Sequence, residues 1–81
     1  MKLTILSFAS IKEIVGSGTI ELDMKDGAII SDLYEKLSAD YPEVARFGNS
    51  LKFAVNEEFV DSDKTLNEGD EVALLPPVSG G

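Results

Sequence analysis

Few groups on this chain could do chemistry, and elimination narrows them further. There is no cysteine and no histidine. Disulfides and thiol nucleophiles are therefore excluded, along with the commonest general base and metal ligand. No metal-binding set and no bound cofactor is expected. Glu57 and Glu58 are adjacent, so in a strand they point to opposite faces and make no acid–base pair. Asp61-Ser62-Asp63-Lys64-Thr65 opens like a calcium loop, but Leu66 stands where the loop needs glycine. Gly16-Ser17-Gly18 lacks the spacing and the lysine of a phosphate loop. What remains is the final pair, Gly80-Gly81. An α-carboxylate with a pKa of about 3.5 is an anion at neutral pH and resists nucleophiles until it is activated. Neither glycine carries a side chain, so the terminus can enter a narrow channel and nothing shields its carbonyl carbon.

The residues before it suit a presented tail. Pro76-Pro77 ends the preceding strand, because proline cannot donate to a ladder, and keeps the base of the tail extended. Six residues from Pro76 reach at most about 20 Å. Two terminal glycines arise by chance in roughly one chain in 200 at average usage. Their weight here comes from the Pro76-Pro77-Val78-Ser79 that precedes them.

A body must carry this tail. The chain has 81 residues, enough for one small domain. We read residues 1–75 as that domain and 76–81 as the tail. The apolar share is 43% and the charged share 27%, which argues against disorder of the whole chain. Seven basic residues against fifteen acidic ones give a net charge of −8. That balance disfavours nucleic acid and anionic membranes and favours basic protein surfaces. No apolar run approaches the length of a membrane span. Met1-Lys2-Leu3 leads directly into strand-like residues without a signal-peptide pattern, so a cytoplasmic protein is expected.

Residues 2–9 read as an apolar strand. Ser10 and Glu13 then fit a capping box for a short helix that Gly16 stops. Thr19 to Lys25 alternates, with Ile20, Leu22 and Met24 on one face. Ile30, Leu33, Tyr34, Leu37 and Tyr41 mark one face of the main helix, without a clear N-cap residue. Asp32 and Lys36 are spaced for an i,i+4 pair, and Pro42 ends the helix. A connector over 43–50, with one turn at 44–47, leads to a strand at 51–55. Asn56-Glu57 is a tight turn before a short strand at 58–60, and 61–67 is a polar loop around Leu66. Glu68-Gly69-Asp70 turns into the last strand, 71–75. The order is that of an α+β domain, with one main helix laid across one face of a sheet of four to five strands.

Parity then marks a second candidate site. Leu3 and Ile5 share one face of the first strand and Val72 and Leu74 one face of the last. Suppose that these strands are neighbours, as the resemblance given below implies, with those four residues under the helix. Leu6, Phe8, Ala73 and Leu75 would then form an apolar patch on the open face, beside the root of the tail. Glu68, Asp70 and Glu71 are candidates for steering a basic partner.

The element order and the terminal Gly-Gly resemble the ubiquitin-like β-grasp proteins, and more closely the small, sulfur-carrier subunits of molybdopterin synthase. Three stretches carry the likeness: Phe8-Ala9 with Glu13-Ile14-Val15-Gly16, Ala54-Val55-Asn56, and the whole run from Glu68 to Gly81. The family often has aromatic residues at the positions of Leu74 and Leu75, and threonine at that of Ser79. The resemblance implies that Gly81 is adenylated with ATP by a ubiquitin-activating-like adenylyltransferase. A sulfur donor protein then converts it to a thiocarboxylate, and the sulfur passes to a pterin precursor to build a dithiolene. It further implies a large synthase subunit as partner, in a heterotetramer of two small and two large chains. That partner would be met by the position of Phe8 and by the tail residues Pro76, Pro77, Val78, Ser79 and Gly80. The chain would have no catalytic residues of its own and would donate sulfur within a sulfurtransferase complex. Carriage of sulfur for thiamine thiazole or another metabolite, protein modification through Gly81, and a non-covalent binding module are the alternatives.

Overall fold

The computed structural model describes residues 1–77. Five strands form one mixed sheet: β1 (Lys2–Ser7), β2 (Thr19–Asp23), β3 (Lys52–Val55), β4 (Glu58–Val60) and β5 (Glu71–Leu75). Their spatial order is β2-β1-β5-β3-β4. The central pair, β1 and β5, is parallel, and every other pair is antiparallel. The helices are α1 (Ala9–Val15) and α2 (Ile30–Asp40), with a 3₁₀ segment over Pro42–Ser50. This is the β-grasp arrangement: a mixed sheet holding one main helix.

Alternation in the strands builds the core. Leu3 and Ile5 of β1 and Val72 and Leu74 of β5 are fully buried. They pack in one cluster with Ile30, Leu33 and Leu37, which recur along one face of α2. Val44 of the 3₁₀ segment and Leu66 of the polar loop complete it. Leu66 is the one apolar residue in its loop because it pins that loop to the core.

Several local expectations give way to tertiary geometry. The first strand stops at Ser7, not at residue 9, where the Ser7 N–H donates to the Gly18 carbonyl. The chain leaves it through Ala9, whose φ is +48°. α1 therefore starts at Ala9 with Phe8 as its N-cap, and no side chain caps it. Ser10 falls inside the first turn, so the Ser10–Glu13 capping box does not form. Gly16 does supply the left-handed stop, at φ 87°. The second strand ends at Asp23, two residues short of Lys25.

α2 starts after Ile29, whose N–H donates to the Asp32 carboxylate at 2.9 Å. This is half of a capping box, and it also places an anion at the positive end of the helix. Asp32 is thus committed to the helix start. Lys36 pairs instead with Asp40, at 3.7 Å on the surface, a contact of only about 0.3–0.5 kcal/mol. The connector is more ordered than a single turn, being 3₁₀ on either side of a non-helical kink at Gly48. Asn56 and Glu57 both take positive φ, 50° and 73°, as the tight β3–β4 turn requires.

Candidate functional site

The sheet has one covered face and one open face, and its register says what the open face carries. Leu6 sits opposite Thr19 on one side and Ala73 on the other. Ala73 sits opposite Ala54, and Ala54 opposite Phe59. One row therefore crosses all five strands: Thr19, Leu6, Ala73, Ala54, Phe59. The next row toward the end of β5 pairs Leu75 with Lys52. Phe8 follows the end of β1 and is 46% exposed, while Phe59 is 76% exposed. These two are the exposed large apolar side chains among the described residues. A phenylalanine left this open costs solvation free energy, which a protein partner would recover.

The four patch residues expected from parity, Leu6, Phe8, Ala73 and Leu75, thus share the open face. Leu6, Ala73 and Leu75 are half-buried. Two members were missed. Ala54 and Phe59 belong to the same row, and a two-residue turn at Asn56-Glu57 already dictates their pairing and common face. Pro76, half-buried, and Pro77, exposed, continue directly from Leu75. Val78, Ser79, Gly80 and Gly81 lie outside the described residues.

Hydrogen bonds fix the other end of β5. The Asp70 carboxylate accepts from Asn56 Nδ2 at 3.0 Å and from the Asn67 N–H at 2.8 Å. The Asn56 side-chain oxygen accepts from the Glu71 N–H at 3.1 Å, and the Asn56 N–H donates to the Glu71 carbonyl at 2.8 Å. Asn56 thereby clamps the β3–β4 turn to the start of β5 and holds the register from which Leu75 and Pro76 emerge.

In this network Asp70 is buried with both carboxylate oxygens accepting hydrogen bonds, so its side chain is not available for direct contact with a partner. Glu68, although exposed, is occupied by the Lys2 N–H at 2.9 Å. Glu71 alone of the three stands exposed on the open face with an unengaged carboxylate among the described residues. Among those residues no three acidic, histidine or cysteine side chains are placed to hold a metal ion. No helix among them is long and apolar enough to cross a membrane.

Comparison with known proteins gives consistent matches. The sequence profile of the ThiS family matches residues 5–81. A molybdopterin synthase sulfur carrier subunit of Dictyostelium discoideum is 39% identical, over 95% of this chain and 93% of its own length. One of Escherichia coli is 36% identical, over 98% of this chain and 99% of its own. Among solved structures, the small archaeal modifier protein SAMP1 of Haloferax volcanii superimposes with a TM-score of 0.87 at 28% identity, covering all of both chains.

Proposed function

The chain belongs to the ThiS family, and on that footing we propose that it is the sulfur carrier of a molybdopterin synthase, working through Gly81. The observation that carries this reading is the full-length likeness to curated carrier subunits, joined to an open apolar face at the foot of the tail.

In this reading the Gly81 carboxylate attacks the α-phosphorus of ATP on an activating partner, and pyrophosphate leaves. Hydrosulfide released by a donor protein then attacks the acyl carbon, the carbon–sulfur bond forms as the bond to AMP breaks, and loss of the proton leaves a thiocarboxylate. The large synthase subunit docks on the open-face patch of Leu6, Phe8, Ala73, Leu75 and Phe59. From Leu75 the six-residue tail, at most about 20 Å long, carries the sulfur into the partner's site. The side-chain-free Gly80-Gly81 passes the channel, the thiocarboxylate sulfur bonds to the pterin precursor, and water cleaves the acyl–sulfur bond to return the Gly81 carboxylate. The carrier's own residues dock, extend and position, while the bond-making groups belong to its partners. Pro76-Pro77 lowers the entropy lost when the tail is threaded.

Reconstitution with the large subunit tests this. Thiocarboxylated chain should convert the pterin precursor, and chain lacking Gly81 should bind but not convert it. Conversion by the shortened chain rejects the mechanism. The structural likeness to an archaeal modifier protein supports a second reading, in which Gly81 is joined to a target lysine. Intact mass separates the two: a sulfur-for-oxygen exchange at the terminus supports the carrier, and isopeptide-linked conjugates support the modifier.

A further inference from the structure

β4 is an outer strand of the sheet and is only three residues long. Its hairpin turn has two residues, so Val55 and Glu58 are the closing pair and exchange both of their backbone hydrogen bonds. Pairs alternate along an antiparallel ladder, so Ala54 and Phe59 form a non-hydrogen-bonded pair. The N–H and C=O of Phe59 therefore point away from β3, toward the free edge. Among the described residues no backbone hydrogen bond outside the ladders involves Phe59.

Two clefts flank this edge. One, of about 540 Å³, is lined by Lys52, Phe53, Phe59, Val60 and Asp61. The other, of about 300 Å³, overlaps it, sharing Lys52, Phe53, Val60 and Asp61, and adds Tyr34 and Leu51 from the helical side. A free donor and acceptor beside clefts that can take side chains is what an added strand needs.

We infer that the β4 edge takes an extended segment of the protein that docks on the open face. That segment pairs with the Phe59 backbone as a sixth strand, with its side chains packing into the adjoining clefts. The inference rests on the docking reading above and names how that contact continues past the patch. Two observations choose this occupant. Phe59 ends the apolar row, so a partner covering the row arrives at the edge. Around the edge the exposed carboxylates of Glu57, Glu58, Asp61 and Asp63 outnumber the exposed lysines, Lys52 and Lys64, a balance that favours a segment bearing lysine or arginine. A second copy of this chain would bring the same carboxylates against each other, on a molecule of net charge −8.

The test is amide hydrogen exchange on the intact chain, alone and saturated with the large synthase subunit, with Phe59→Pro and Phe59→Ala alongside. Proline removes the outward N–H, which the fold does not use, whereas alanine keeps it. Exchange at the Phe59 amide should slow at least about tenfold in the complex, and Phe59→Pro should weaken binding about tenfold more than Phe59→Ala does. If the complex forms while that amide exchanges at its free rate, the inference is overturned, whether or not the proline variant folds. Protection that grows with the concentration of the chain alone assigns the edge to a second copy and likewise overturns it. Failure of the wild-type chain to bind the subunit defeats the docking reading itself, and the inference with it.

Discussion

At the scale of single residues, the patch and the core obey the same parity rule, and one side chain sits awkwardly within it. Ser7 is the last residue of β1, on the covered face opposite Leu74. It is buried, and its hydroxyl has no hydrogen-bond partner. A buried hydroxyl left unpaired costs about 1–3 kcal/mol. Ser7→Ala should therefore stabilise the fold by about 1 kcal/mol, read as a melting temperature higher by about 4–8 °C. A lower melting temperature would show that the hydroxyl is paired after all. Phe8 and Phe59 are the opposite case, apolar side chains held in water. The fold does not need them there, so their value lies in what covers them.

At the scale of elements, the β3–β4 hairpin and the turn before β5 act as one unit. Asn56 contributes to both, through its left-handed backbone and its side-chain bonds to Asp70 and Glu71. Glu57 has only the backbone role, at φ 73°. A side chain in that region costs about 1 kcal/mol relative to glycine. Glu57→Gly should therefore raise the urea midpoint of unfolding. On the other side of the sheet, Phe53 meets Tyr34 of α2 edge-on, with ring centroids 6.4 Å apart. The edge strand pair is thereby anchored to the main helix, and the β4 edge is presented on a rigid support.

At the scale of the whole molecule, charge and shape divide the work. The net charge of −8 is spread over the surface, whereas the apolar row is confined to the open face near the end of β5. Long-range charge governs the rate of encounter, and local apolar contact governs residence. The association rate with the large synthase subunit should fall about tenfold between low and high salt, with the dissociation rate nearly constant. Stopped-flow mixing across a salt series checks this, and a salt-independent association rate would remove charge from the account. Leu6 and Ala73 lie far apart in sequence, and only the parallel pairing of β1 with β5 makes them neighbours.

What could be read without coordinates was whatever depends on nearest neighbours along the chain. Alternation put Leu3, Ile5, Val72 and Leu74 on the covered face, helical spacing marked Ile30, Leu33 and Leu37, and Gly16 and Asn56 announced the turns that they make. These signals are local because backbone sterics and side-chain period act within a few residues. The tertiary structure decided what depends on competition between distant partners. Ser10 lost its capping role because the chain turns out of β1 at Ala9, φ +48°, which sets Ser10 inside the first turn of α1. Asp70 became a buried acceptor because Asn56 and Asn67 were brought to it. Phe59 became the end of an apolar row only once five strands had taken their order.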